Sequence, residues 1–359
     1  MWNVIDYRKT KKYCIMKNIK FIGLLMLLSI VFVSCKQGNK RGPLTPTSSG
    51  LPYELLVVID QKYVDSPLGE AVTEVLTSNV PGLPQPEAAF KLMYTDPQHF
   101  DGILKPIRNL VIVKVDKIYT EPRFNTASDV YAYPQSVVTI QGPTAESLAA
   151  YVTQNGASIV DYFTKAEMNR QITILEKNHS QQIASTVKEM FGSDVWVSGD
   201  LKSTKTGENF FWAGTNEGTS ERYFMVYSIP YVDDDSFTPE YMIHKRDSVL
   251  RVNVLGESEG SYMTTVAEVT EVKPINVQDE YTLEARGLWR VVNDRMGGPF
   301  VAQMRLDKQN KRLIFVDTFV FAPEKMKRNL MRQMEASLYT LRLPGALAKE
   351  IEIANTDSN

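Results

Sequence analysis

The sequence predicts an α+β fold, with mixed or antiparallel sheets and flanking helices. Three observations carry this. Short β-rich runs and stretches of helical spacing alternate irregularly, which argues against a regular βαβ array. The second half is richer in strand than the first and is punctuated like an antiparallel meander. Each half also ends strand–Pro–helix (VVTIQGPTAESLAAYV, then FVDTFVFAPEKMKRNLM), a plan that two related α+β subdomains would share. Residue identity does not support a duplication.

The chain opens with a segment that reads as an address. Lys17 and Lys20 supply a short basic region, the run at 19–33 is otherwise almost wholly apolar, and Ser34 sets a small residue before Cys35. That order matches a secretory signal peptide. The run is shorter than the roughly 20 residues a spanning helix needs. The ending F-V-S-C resembles the lipobox of bacterial lipoproteins, although Phe32 stands where Leu is usual. The resemblance implies diacylglyceryl transfer to the Cys35 sulfur and cleavage that leaves Cys35 first; stable anchoring takes two or more acyl chains. Residues 1–15 fit this poorly, and the simplest account starts translation at Met16. The expected organisation is a signal peptide at 1–34, a lipid-attached flexible tether at 35–51 and an N-terminal subdomain at 52–192. A C-terminal subdomain follows at 193–352, then a frayed tail at 353–359.

Only Cys14 and Cys35 exist, so a processed chain holds no disulfide and no thiol nucleophile. Removing 1–34 takes away six basic residues and one acid, moving the formal charge from −2 to −7. An acidic surface with scattered Lys and Arg argues against nucleic acid as a partner. The 43% hydrophobic content suffices for a core.

In the folded part, 53–60 (YELLVVID) reads as a buried strand, and 67–80 has helical spacing closed by Pro81-Gly82. Runs at 90–94, 110–115 and 137–140 are further strands. Pro143-Thr144 opens a long helical region reaching Phe191, with a break expected at Gly156. Strands are then expected at 194–197, 210–213 and 223–229. Thr238-Pro239 starts a helix running to about residue 252. A meander of 262–269, 281–292, 300–306 and 312–321 precedes a closing amphipathic helix at 323–341.

Chemistry is sparse. His99, His179 and His244 lie outside metal-ligand spacing of one another, and no HExxH motif occurs. His179 reads as solvent-exposed. No GxSxG or paired SxxK motif exists, and GESEG (256–260) lacks the strand and Lys of a phosphate loop. Asp233, Asp234 and Asp235 read as a solvated turn. No catalytic residue, metal ligand or cofactor is therefore expected. The most distinctive stretch is RGLWRVVNDRMGGPF (286–300), a strand, polar turn and strand. Gly297 and Gly298 allow positive φ or close backbone approach, and Pro299 fixes the next strand. Trp289, Arg290, Asn293 and Arg295 beside that turn compose a candidate recognition patch, since Trp and Arg are favoured at hot spots. The same residues describe a packed hairpin with a buried Trp and solvated arginines.

GLWRVVNDRMGGPF (287–300), NFFWAGTN (209–216), KRDSVLRVNVLG (245–256) and SYMTT (261–265) carry a resemblance. Together they resemble the Bacteroidetes lipoprotein family termed domain of unknown function 4837, over about 52–343. The resemblance implies an envelope lipoprotein and transfers no catalytic residue. Surface lipoproteins of that phylum tend to carry acidic residues after the cysteine. Lys36-Gln37-Gly38-Asn39-Lys40 lacks them, which implies the periplasmic side of the outer membrane. The expected activity is non-enzymatic binding of an envelope protein or glycan. The alternative is a hydrolase of glycan or peptidoglycan, which requires two carboxylates across a groove.

Overall fold

The computed structural model describes residues 45–216 and 218–346. The signal segment with Met16 and Cys35, most of the tether and the tail at 353–359 lie outside these described residues. From Pro46 onward the chain forms one compact unit holding two sheets.

The first sheet is mixed. Its elements are β1 (Glu54–Val58), α1 (Gln61–Val64), α2 (Pro67–Leu76), β2 (Lys91–Thr95), β3 (Asn109–Val115), β4 (Arg123–Ser128), β5 (Ser136–Gly142) and α3 (Ala145–Asn178). The order is β2-β1-β3-β5-β4, with β4 alone antiparallel to its neighbour. The unbroken apolar run of β1 follows from burial on both faces. Leu55 and Val57 pack with Leu68, Val72 and Phe163 of α2 and α3, whereas Leu56 and Val58 meet Phe100, Leu104 and Ile107. Strand β4 escapes the sequence pattern because RFNTAS is an exposed edge with little apolar content.

Helix α3 starts where Thr144 accepts a hydrogen bond from the Ser147 N–H, and it continues through Gly156 for 34 residues. The expected break at Gly156 is absent. A Cβ there would lie 2.4 Å from a Val75 methyl, so the glycine lets α2 and α3 touch instead of ending the helix. Its length, about 50 Å at 1.5 Å per residue, carries α3 beyond the first sheet. There Met168, Ile172 and Leu175 pack on Ala336 and Trp196. The break falls at His179, which is half-buried and stacked on Trp196 at 5.8 Å, where exposure was expected.

The second sheet is antiparallel throughout, in the order β6-β7-β8-β12-β11-β10-β9. Its elements are α4 (Gln181–Phe191), β6 (Ser203–Gly207), β7 (Phe210–Gly214), β8 (Glu221–Pro230), α5 (Pro239–Asn253), β9 (Met263–Val277), β10 (Glu280–Val291), β11 (Gly297–Asp307), β12 (Arg312–Phe321) and α6 (Arg328–Leu338). Strict alternation gives it two apolar faces. Phe224, Val226, Ile314 and Val316 pack under α4 and α6, while Met225, Tyr227, Leu313 and Phe315 pack against α5. Strands β9 to β12 form the expected meander. The expected strand at 194–197 is reduced to one bridge between Asp194 and Arg342.

The closing helix begins at Arg328, five residues later than the sequence pattern suggests. Lys327, its N-cap, makes no side-chain cap bond. Glu87 of the first half supplies one instead, accepting from the Lys327 and Arg328 N–H groups at 2.7 and 2.8 Å. The Arg328 and Arg332 guanidiniums also lie over the Tyr53 ring, at 5.8 and 5.7 Å. Leu83 packs against both cores.

Candidate functional site: a groove with a charged floor

Where α3 passes the meander it leaves a groove of about 1540 Å³. One wall is α3, with Gly156, Ala157, Val160 and Lys165; the facing wall is the β9–β10 arm around residues 273–280. The floor comes from β10, β11 and α6. On β10, Thr282, Glu284 and Arg286 alternate with Leu283 and Ala285; on β11, Gln303 and Arg305 alternate with Ala302 and Met304. The apolar members enter the core under α5. The polar ones turn to the opposite face, as the period-2 geometry of a strand demands.

These side chains form one network. Arg286 donates to both oxygens of Glu335, and at 3.3 Å to Glu284 Oε1. Gln303 and Tyr339 donate to Glu284 Oε2 at 3.0 and 3.2 Å. Arg305 donates to Gln303 Oε1 and to the Leu338 and Leu341 carbonyls, so it closes the C-terminal end of α6. Burial pushes the Glu335 carboxyl up, but the Arg286 and Arg332 guanidiniums outweigh it and hold that carboxyl below the ordinary range. Burial pulls Arg305 down to about 10, against the opposing pull of Tyr339 and Glu284. Burial also raises the Tyr339 phenol well above its ordinary value, with Glu284 adding to the effect.

Two further cations at the groove act on the Glu335 carboxylate through their charge without a hydrogen bond to this network. Lys273 is exposed and has no hydrogen-bond or ion-pair partner among the described residues. Arg332 also lacks such a partner, its contact being the Tyr53 ring, and its Nε is buried without an acceptor. The nearby cations Lys165 and Lys308 are tied to Asp161 at 2.7 Å and Glu280 at 3.5 Å. Among the described residues no group of three or more His, Cys, Asp or Glu is placed to hold a metal ion.

The six residues singled out beside the β10–β11 turn are not brought to one surface. Trp289 is 3% exposed, stacks edge-on against Phe319 and donates to the Val320 carbonyl at 3.3 Å. Arg290, Asn293 and Arg295 are exposed, with Asn293 taking the positive φ of the turn. Gly298 serves close approach, since a Cβ would lie 2.1 Å from the Val320 carbonyl oxygen; a Cβ on Gly297 would lie 2.9 Å from the Trp289 oxygen.

The other distinctive segments meet on the α5 side. Arg246, fully buried, donates to Asp317 at 2.7 Å and to Thr265 at 2.8 Å, with its guanidinium 3.6 Å from the Phe300 ring centre. Asp247 accepts from the Thr264 hydroxyl and from the Thr265 hydroxyl and N–H. These motifs clamp α5 to the sheet. The groove residues carried no motif, because a polar face that alternates with core residues looks the same whether it borders a groove or open water.

Residues 180–340 match the family model described as Domain of unknown function (DUF4837), and residues 48–176 match that described as Domain of unknown function (DUF8532). The resemblance expected over 52–343 thus holds for the second half alone, where every motif that carried it lies. The seam between the two matches falls at the break between α3 and α4. No curated protein matches the chain. Solved structures aligned to it include the Saccharomyces cerevisiae Ran-binding protein Mog1p and a point mutant of Mog1. Each is 9% identical, covers 42% of this chain and 90% of its own, and has a TM-score of 0.28. That score is too low to support an argument about fold or function.

Proposed function

We propose that the chain is a lipid-anchored envelope protein whose folded part binds a macromolecular partner in the groove between α3 and the β9–β10 arm. The groove carries this reading. It exceeds the roughly 300–1,000 Å³ of small-molecule pockets, and its floor is rigidly cross-linked by ion pairs. Such a floor offers a fixed surface and little free acid or base. Glu284 and Glu335 share the Arg286 guanidinium, and Glu335 is held ionised at neutral pH, so it cannot act as the protonated acid of a hydrolase pair. The anchor rests on Lys17, Lys20, the apolar run and Cys35. The missing acidic residues after Cys35 favour the periplasmic face of the outer membrane.

The test is affinity capture from detergent-solubilised membranes with the full chain and with Ala157→Trp. Ala157 is an exposed groove-wall residue, so the indole fills the groove without entering a core. A partner captured by the wild type and lost with Ala157→Trp is the expected result. Equal recovery with both chains removes the groove from the function. Intact mass of the membrane-extracted protein checks the anchor: acyl chains on Cys35 are expected, and a bare Cys35 still preceded by residues 1–34 refutes it.

A further inference from the structure

We infer that residues 347–353 of the chain itself occupy the groove and cover it until a partner displaces them. The effect on a partner rests on the groove being that partner's site; the covering rests on where the chain runs. Leu343, Pro344, Gly345 and Ala346, the last of the described residues, line the groove. Two turns hold the approach to it. Gln278, at the β9–β10 turn, donates from Nε2 to the Tyr339 and Leu341 carbonyls at 2.7 and 3.2 Å. Gly345 takes a positive φ beside the β11–β12 turn, where a Cβ would lie 2.8 Å from Gln309 Oε1. The next residue of the chain, Leu347, therefore starts at the groove.

The lining matches that segment in character. Strands β9 and β10 pair in the register Ile275↔Thr282 and Val277↔Glu280, so Ile275 and Val277 stand on the same face as the polar floor. Val75 and Val160, half-buried, line the groove from α2 and α3. Acids and bases line it in equal number among the described residues, so the groove favours apolar contact and mixed charge over a ligand of one sign. The segment LAKEIEI (347–353) has that composition, with Leu347, Ile351 and Ile353 set among Lys349, Glu350 and Glu352. Leu347 and Ile351 lie four apart, a spacing that shares one side in a helix and in a strand alike. Extended, the segment reaches about 23 Å. The α3 wall from Ala157 to Lys165 is about 12 Å long. A segment joined directly to its site is present there at an effective concentration on the order of mM, so weak contacts suffice to cover the groove and a partner must compete with them.

The experiment is disulfide trapping in the full chain, with its own cysteines removed by Cys14→Ser and Cys35→Ser so that the result is independent of the anchor. One variant carries Ala157→Cys, on the groove wall, with Ile351→Cys. The control carries Glu189→Cys with Ile351→Cys. Glu189 is exposed on α4, three residues before Gly192, where a Cβ would lie 3.4 Å from Pro344; it is within the segment's reach but off the groove. On mild oxidation the groove pair should close within one chain at least ten-fold faster than the control. Adding Leu347→Asp and Ile353→Asp should slow it ten-fold or more, and neither change touches the described fold. The same two substitutions, made with the native cysteines in place, should raise partner capture from membranes several-fold. Equal rates for the two pairs, or a groove pair indifferent to Leu347→Asp and Ile353→Asp, overturns the inference. A disulfide joining two chains overturns it in favour of a second copy as the occupant. If the groove pair closes as expected but no partner is captured, the covering stands and the groove-binding function falls. If capture depends on Ala157 while the groove pair closes no faster than the control, the inference falls and the function stands.

Discussion

At the scale of single residues, buried charge is the feature most exposed to test. Arg246 and Asp317 are both fully buried and hydrogen-bonded to each other. Burial pushes the Asp317 carboxyl up, and only Arg246 opposes this. Arg246→Met therefore leaves a buried carboxylate without its counter-charge, which costs about 3–5 kcal/mol. Urea unfolding measures this, and Arg246→Met combined with Asp317→Leu should recover most of it; a single-variant loss below about 1 kcal/mol would contradict the account. Glu335 titrates with the opposite sign. Its folded-state value lies below the ordinary 4.5, so its stabilisation is present above that pH and disappears as pH falls through the folded value. Unfolding free energy should fall with pH below about 4.5, and Glu335→Gln should flatten that slope while weakening the protein at neutral pH. An unchanged slope would show that Glu335 is not held by Arg286 and Arg332.

At the scale of elements, α6 lacks an N-cap of its own and borrows Glu87 from the other half of the molecule. Replacing an N-cap acceptor costs about 0.5–2 kcal/mol. Glu87→Ala should lose that much and speed hydrogen exchange at the Lys327 and Arg328 amides, leaving the α5 amides unaffected. Uniform change across the chain would mean a global effect in place of a lost cap. The same helix shows what the sequence could reveal. Its apolar side was legible from Leu330, Met334 and Leu338, but its start was not, because the capping group lies 240 residues away along the chain. The meander was legible for the same local reason, alternation within each strand. Strands β4 and β6 were hidden because RFNTAS and STKTG are exposed edges with almost nothing to bury. Gly156 misled because a helical glycine in a tight crossing looks, in sequence, like a helix end. The groove floor was invisible as a site: Glu284, Arg286 and Arg305 occupy the polar phase of strands whose other phase is core. Only the passage of α3 overhead turns that phase into a floor.

At the scale of the whole molecule, the question is whether the two halves are independent. Two separate family matches meet at the break between α3 and α4, as they would if each half could occur alone. The packing argues for dependence. The far end of α3 buries Met168, Ile172 and Leu175 against Ala336 of α6, and α6 takes its cap from Glu87. Cutting the chain at residue 179 would expose that apolar stripe on one piece and leave two uncapped N–H groups on the other. Exposed contiguous apolar surface of this kind drives association or aggregation. Residues 46–178 and 180–346, expressed as separate chains, should therefore be poorly soluble alone and co-purify when made together. Glu87→Ala combined with Arg328→Ala should weaken the reassembled pair, since both residues act across the seam. The uncut protein should show one cooperative thermal transition. Two soluble fragments that fail to associate, or two resolved transitions in the intact chain, would mean that the groove lies between bodies free to move. The partner would then have to set their separation by binding, and groove affinity would become sensitive to mutations anywhere along the seam.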